Sequence, residues 1–281
     1  MDECLRVLDE RQEYLGDEIL VQQVRLQLIV EKVNSITRHG GAMETTERMT
    51  MPPCFYLQAL YSQLQEVKSK LPPRLRHSDT PSSSTTASSH SDSLADVLLP
   101  HLYSTELKIN EIALSKVPII AHDTNFQQLE YLHACVKSIK SWFDAMFALP
   151  FTSFVGSPFS ICSQLVYCII TLQRLATLDD PAWDKEAVRK TADPLLILDQ
   201  IINNIEQVAT LAELNNDSTK GDIYSRLSKM FASMRSAWEA ELGASLMVST
   251  MQNVNETMID ALPLDFSDND WLMDVLFSPN H

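Results

Sequence analysis

Apolar residues fall every three or four positions along most of the chain, which is the period of a helix with one buried face. Leu5, Leu8, Leu15, Ile19, Leu26, Ile29, Val33 and Ile36 form a first stripe, interrupted only by Gln12 and Gln22, and predict one long helix ending at Gly40-Gly41. Leu57, Leu60, Tyr61, Leu64, Val67 and Leu71 predict a second helix from Pro53 to Leu71, stopped by Pro72-Pro73. A third is expected over Leu107 to Lys116, with Pro100 as its earliest start. The stripe Leu129, Leu132, Val136, Ile139, Phe143 and Met146 marks the next helix, closed by Pro150.

Phe159, Cys162, Leu165, Val166, Ile169, Leu172 and Leu175 make a helix apolar on nearly all sides, as expected of the centre of a bundle. Asp179-Asp180-Pro181 offers an N-cap and a first-turn proline for a helix through Trp183, Val188, Leu195, Leu198, Ile202, Ile205 and Val208, kinked near Pro194. A last helix is expected from Asp222 to Ser249. The fold class predicted is all-α, an irregular helical bundle or array.

Two stretches depart from this pattern. Residues 78–93 are almost wholly Ser, Thr, Asp and His with a single alanine, so no burial offsets the entropy of ordering them. They predict a disordered Ser/Thr linker whose hydroxyls are candidate phosphate acceptors. Residues 236–281 hold eight acids and no Lys or Arg, more than half of the net charge of -15. Among those acids lie Met258, Ile259, Leu262, Leu264, Phe266, Trp271, Leu272, Met273, Val275, Leu276 and Phe277, the acidic and hydrophobic mixture of an activation segment. Four regions result: residues 1–75 as an N-terminal helical region, residues 76–93 as the linker, residues 94–250 as the main helical region and residues 251–281 as the tail.

Within the tail, Ser267-Asp-Asn-Asp270 has the S-x-x-[DE] form of a capping box and precedes Trp271, Leu272, Val275, Leu276 and Phe277. That spacing predicts a short amphipathic helix, too short to hold alone in water, that folds against a partner. The candidate partner-binding residues are Phe266, Trp271, Leu272, Val275, Leu276 and Phe277. The competing expectation is that Trp271 and Phe277 tuck back onto the body as a clasp.

Composition narrows the function. A chain of 281 residues that is 45% hydrophobic can bury a sizeable core, and six glycines are too few for a turn-rich β architecture. No stretch of eighteen apolar residues occurs, and Met-Asp-Glu-Cys does not open a signal peptide, so neither membrane spanning nor secretion is expected. Cys4, Cys54, Cys135, Cys162 and Cys168 include no C-x-x-C pair and are expected as free, mostly buried thiols. The acidic balance argues against direct DNA binding, which needs a concentrated basic surface.

Candidate chemistry is sparse, and the chain is expected not to be an enzyme and to need no cofactor or metal. The string D-D-P-A-W-D, Asp179 to Asp184, resembles the magnesium-binding DD-x-x-D/E of terpene cyclases. Trp183 stands where the third carboxylate belongs, and Pro181 breaks the face that would gather the oxygens. A second metal motif fails at Asn216-Asp217, where Lys220 and Tyr224 replace the needed hydroxyl and carboxylate. His133 and Cys135, two residues apart, lie on different faces of their helix. No G-x-S-x-G, H-E-x-x-H or P-loop motif is present. Lys68, Lys70, Arg74 and Arg76 form a short basic group that would serve either as an import signal or to solvate a helix end.

The run E-Y-L-G-D-E-I-L-V-Q-Q-V-R-L-Q, Glu13 to Gln27, resembles the opening of the regulatory region behind the DNA-binding domain of fungal zinc-cluster transcription factors. L-P-P-R-L at Leu71 to Leu75, the polar linker, H-L-Y-S-T-E-L-K-I-N-E-I-A-L at His101 to Leu114 and L-E-Y-L-H-A-C-V-K-S-I-K-S-W-F-D at Leu129 to Asp144 follow in the family's order. The most specific pieces are Gln164 to Asp184 and V-R-K-T-A-D, Val188 to Asp193. The six-cysteine zinc-cluster head is absent, which leaves open a head encoded upstream or a headless relative. The resemblance implies a nuclear regulator of RNA polymerase II transcription. Its implied partners are the transcription machinery or a coactivator, an intact zinc-cluster factor and a small-molecule effector. A helical adaptor acting by protein contact alone is the alternative.

Overall fold

The computed structural model describes residues 2–14, 16–40, 53–71, 90–111, 124–149, 159–214 and 218–248. Among the described residues the regular structure is helical and no strand occurs, so the chain is all-α. Two compact units form: residues 1–149 with 181–183, and residues 150–180 with 184–281.

In the first unit the long N-terminal stripe is split into α1, Asp2–Arg11, and α2, Asp17–Gly40. The expected single helix breaks because Gln12 turns into the left-handed region (φ 41°), where its N–H caps the Leu8 carbonyl at 3.1 Å. Gly16 then weakens any helical continuation, and the acidic pair Asp17 and Glu18 favours a fresh N-terminus. The Asp17 carboxylate accepts the Tyr14 N–H at 3.0 Å. Helix α1 packs on α2, and an ion pair from Arg25 to Asp9, 2.8 Å, joins them.

Helix α3, Pro53–Lys70, agrees with its predicted limits to within a residue and packs on α2 and on α4, His90–Asn110. Leu57, Leu60, Leu64, Val67 and Leu71 are buried against Ile19, Leu26, Ile29, Val33, Leu98, Leu102 and Ile109, which is the core of this unit. At about 1.5–3 kcal/mol for each large aliphatic side chain, that stripe is what holds α3 in place.

Helix α4 starts earlier than expected, and the part of the expected helix from 112 to Lys116 lies outside the described residues. It takes in the last four residues of the 78–93 segment, while 78–89 lie outside the described residues. It also runs through Pro100. An interior proline costs a helix about 3 kcal/mol, and burial of Leu98, Leu102, Leu107 and Ile109 outweighs that. Helix α5, Thr124–Phe147, packs on α4, and Leu132, Val136, Ile139, Phe143 and Met146 of its stripe are buried.

The second unit contains α6, Phe159–Thr177, α7, Lys185–Thr191, α8, Pro194–Leu214, and α9, Ser218–Val248. Helix α6 packs on both α7 and α8, consistent with its all-round apolar sequence. The helix expected through Trp183 and Pro194 is two helices. Asp184, not Asp180, is the first cap, its carboxylate accepting the Ala187 N–H at 3.0 Å. Ala192 is extended, as a chain approaching a proline must become, and Asp193 caps α8 by accepting the N–H of Leu195 at 2.9 Å with Pro194 as the first helical residue. The expected kink is therefore a break with its own cap. No helix of the described residues is long and apolar enough to cross a membrane.

Candidate functional site

The residues singled out for partner binding, Phe266, Trp271, Leu272, Val275, Leu276 and Phe277, all lie outside the described residues. Arg74 and Arg76 of the basic group do so as well, whereas Lys68 pairs with Glu106 at 2.8 Å and Lys70 with Glu66 at 2.8 Å.

The D-D-P-A-W-D string is not a metal site. Asp179 faces Lys185 at 3.3 Å, Asp184 is occupied as a helix cap, and Trp183 is buried with its indole 4.7 Å from the exposed His133 imidazole. Among the described residues no three His, Cys, Asp or Glu side chains come together as a metal site would require. Cys135 and Cys168 are buried and Cys4 is exposed. Burial, reinforced by the negative charge of Glu111, pushes the Cys135 thiol well up, so it is an inert core residue rather than a nucleophile.

The most organised polar feature lies at the junction of α3, α4 and α5. The Tyr61 hydroxyl donates to the Asn110 side-chain carbonyl, and the Asn110 amide donates to Ser138 Oγ at 3.4 Å. Asn110 and Ser138 are buried. The Tyr61 ring lies nearly parallel to that of Tyr131, with centroids 6.4 Å apart. Burial, then the neighbouring Tyr131, Cys135 and Glu106, raises the Tyr61 phenol, which stays a neutral donor. Nothing in the apolar period announces this chain of hydrogen bonds: Asn110 and Ser138 read as ordinary polar positions, and only their occurrence inside otherwise apolar helical segments hinted at a buried role.

In the second unit α8 and α9 form an antiparallel hairpin. Asp199 of α8 accepts from the Arg235 guanidinium of α9, and seven residues further along α8 Glu206 accepts from Ser228, seven residues back along α9, at 3.2 Å. Phe231 between them is fully buried. Half-buried Leu227, Met230, Met234 and Trp238 continue the apolar side of α9 around and beyond it. Arg189 Nε is a buried donor with no hydrogen-bond partner among the described residues. None of these arrangements has the paired acid and base, the activated nucleophile or the phosphate cradle of an active centre.

Comparison with known proteins places the chain among fungal transcription factors. Residues 151–281 match the family model "ATEG07667_C: C-terminal domain", which begins one residue after the start of the second compact unit. The transcription factor opdL of Penicillium oxalicum is 32% identical over 242 residues, covering 86% of this chain and 39% of that protein. A protein named transcription factor from Aspergillus terreus is 31% identical over 227 residues, covering 76% of this chain and 35% of that protein. The chain thus spans about two fifths or less of the curated relatives it matches, and both are named as transcription factors rather than enzymes. No solved structure gives a significant match.

Proposed function

We propose that this chain is the regulatory and activating portion of a fungal transcription factor of the zinc-cluster type, working in the nucleus on RNA polymerase II transcription. The observation that carries the reading is the similarity, across most of the chain, to two longer fungal proteins named transcription factors. The ordered segments from Glu13 to Asp193 that resemble the regulatory region of that family supply the finer assignment.

In this reading the helical units are a scaffold, and the acidic and hydrophobic residues 251–281 make the productive contact with the transcription machinery or a coactivator. Phe266, Trp271, Leu272, Val275, Leu276 and Phe277 are the anchors. DNA would be reached through a domain outside this chain or through pairing with an intact zinc-cluster factor, because a net charge of -15 disfavours direct binding to phosphates. A small-molecule effector acting on the helical body belongs to the same proposal.

The test is a reporter assay with residues 251–281 fused to an unrelated DNA-binding domain. Activation at normal expression supports the reading, and an inactive fusion leaves the chain as an adaptor.

A further inference from the structure

We propose that the outward flank of α2, from Asp17 to Glu31, is a docking seam for a short basic amphipathic helix of a partner protein. Helix α2 buries Ile19, Leu26, Ile29 and Val33 in the core of the first unit and packs on α1, α3 and α4. Asp17, Leu20, Val24, Leu28 and Glu31 follow one another at spacings of three, four, four and three residues. At about 100° per residue they share an arc of about 80° on the side of the helix opposite that core stripe. Leu20 is 47% exposed, Gln27 on the same flank is exposed, and Val24 and Leu28 are half-buried. One apolar stripe is enough to fix α2 in the unit. The second keeps three aliphatic side chains partly in water, in the register by which a helix offers a ridge to another helix.

Charge along the seam selects the partner. Asp17 and Glu31 stand at its two ends, about 21 Å apart along the axis at about 1.5 Å per residue. The Asp17 carboxylate uses one oxygen to accept the Tyr14 N–H, and neither it nor Glu31 has a cation partner among the described residues. Other carboxylates of the unit are paired: Glu3 and Glu10 with Arg6, Asp9 with Arg25, Glu106 with Lys68 and Asp144 with Lys140. Arg25 and Lys32, the bases of residues 17–32, face away from the seam, Arg25 towards Asp9 of α1 and Lys32 towards Gln63 of α3.

The seam is therefore an aliphatic ridge with an open carboxylate at either end. Its complement is a helix with an aliphatic centre and Lys or Arg towards both ends, which gains burial in the middle and opposite charge at the rim. A second copy of this face does not supply that complement, because parallel pairing sets Asp17 against Asp17 and antiparallel pairing sets Asp17 against Glu31.

The test is fluorescence anisotropy of the full chain with a labelled synthetic helix of about fifteen residues, the length that spans the seam. It carries Leu at spacings of three and four and Lys towards both ends, and a twin has Glu in place of Lys. Saturable binding of the Lys helix is expected, with the Glu twin about tenfold weaker. Leu20→Ser should weaken the Lys helix about fivefold and Glu31→Lys about threefold. Glu130→Lys, at an exposed acid of α5, makes the same change of net charge and should shift affinity by less than about twofold. Circular dichroism checks that the variants fold, and both seam substitutions lie at exposed positions. Equal losses from Glu31→Lys and Glu130→Lys would assign the binding to net charge, and indifference to Leu20→Ser would leave the ridge without a role. Either result overturns the proposal. So does light scattering that shows a dimer of the full chain lost in Leu20→Ser, which would make a second copy the occupant. The reporter assay on residues 251–281 reads none of these residues, so the seam and the activating role stand or fall separately.

Discussion

Tyr61 on α3 donates its phenolic hydrogen to the side-chain carbonyl of Asn110 on α4, and Asn110 passes the chain on to Ser138 of α5. Three helices that share an apolar core are thus also joined through buried polar atoms, which must stay satisfied to be tolerated there. Tyr61→Phe removes the donor and leaves the Asn110 oxygen without it, so a loss of about 1–3 kcal/mol is expected in urea unfolding. Adding Asn110→Leu removes the stranded acceptor, and the double variant should therefore lose less than the two single losses combined. Strict additivity would show that the pair does not act as a unit.

Gln12 holds a φ of 41°, a region that glycine enters freely and side-chain-bearing residues enter at a cost of about 1–2 kcal/mol. Gln12→Gly is expected to raise stability by up to about 1 kcal/mol, and Gln12→Val to lower it. The two thermal midpoints should move in opposite directions from the parent. A common downward shift would mean that the Gln12 side chain contributes more than its backbone costs.

How much of this was legible in the sequence depended on whether a single local rule decided each position. The α5 stripe from Leu129 to Met146 satisfies one period without exception, so its helix and its buried face could be read directly. Gln12 could not be read that way, because the stripe continues in phase across it and the local signals for a new helix start, Gly16, Asp17 and Glu18, lie four to six residues further on. Pro100 and Pro194 are both prolines within apolar periods, yet one lies inside α4 and the other begins α8. Asp193 is the difference, a cap available one residue before Pro194, whereas Leu99 before Pro100 offers none. The Tyr61, Asn110 and Ser138 chain is a tertiary fact spread over 49 and 28 residues of separation, and no local window contains it.

Burial lowers the His101 imidazole below its ordinary 6.5, so the folded chain holds this side chain neutral more firmly than the unfolded chain does. The unfolded state then binds the proton first on acidification. The stabilisation is complete above about pH 6.5, where both states are neutral, and is lost as pH falls through the depressed folded value. Denaturant midpoints should decline as pH falls below about 6.5, and His101→Gln should flatten that stretch of the profile. An unchanged slope in the variant would assign the decline to other groups.

Phe231 is fully buried on α9, between Ser228 and Arg235, which tie that helix to α8. Phe231→Ala removes an aromatic ring from a packed interface and is expected to cost about 3–5 kcal/mol. Arg235→Ala breaks pairs to Asp199 and Glu239 that water already screens, and its effect should be much smaller. Equal effects in a single unfolding transition would show that the hairpin depends on its ion pair rather than on its ring.

The tail gives the sharpest functional prediction because its acids and its apolar side chains should fail differently. Ser267 to Asp270 can cap a helix of about ten residues bearing Trp271, Leu272, Val275, Leu276 and Phe277, too short to persist in water without a partner. Ordering such a segment on binding consumes on the order of 2–5 kcal/mol, which the aromatic and aliphatic anchors must exceed, while Asp268 and Asp270 chiefly guide the encounter and complement the dipole of the first turn. In a fusion of residues 251–281 to an unrelated DNA-binding domain, Trp271→Ala with Phe277→Ala should abolish reporter activation, and Asp268→Asn alone should only weaken it. If the aspartate variant were as damaging as the double aromatic variant, activation would depend on charge at a specific position, and the helix-in-groove contact would be the wrong account of how this tail works.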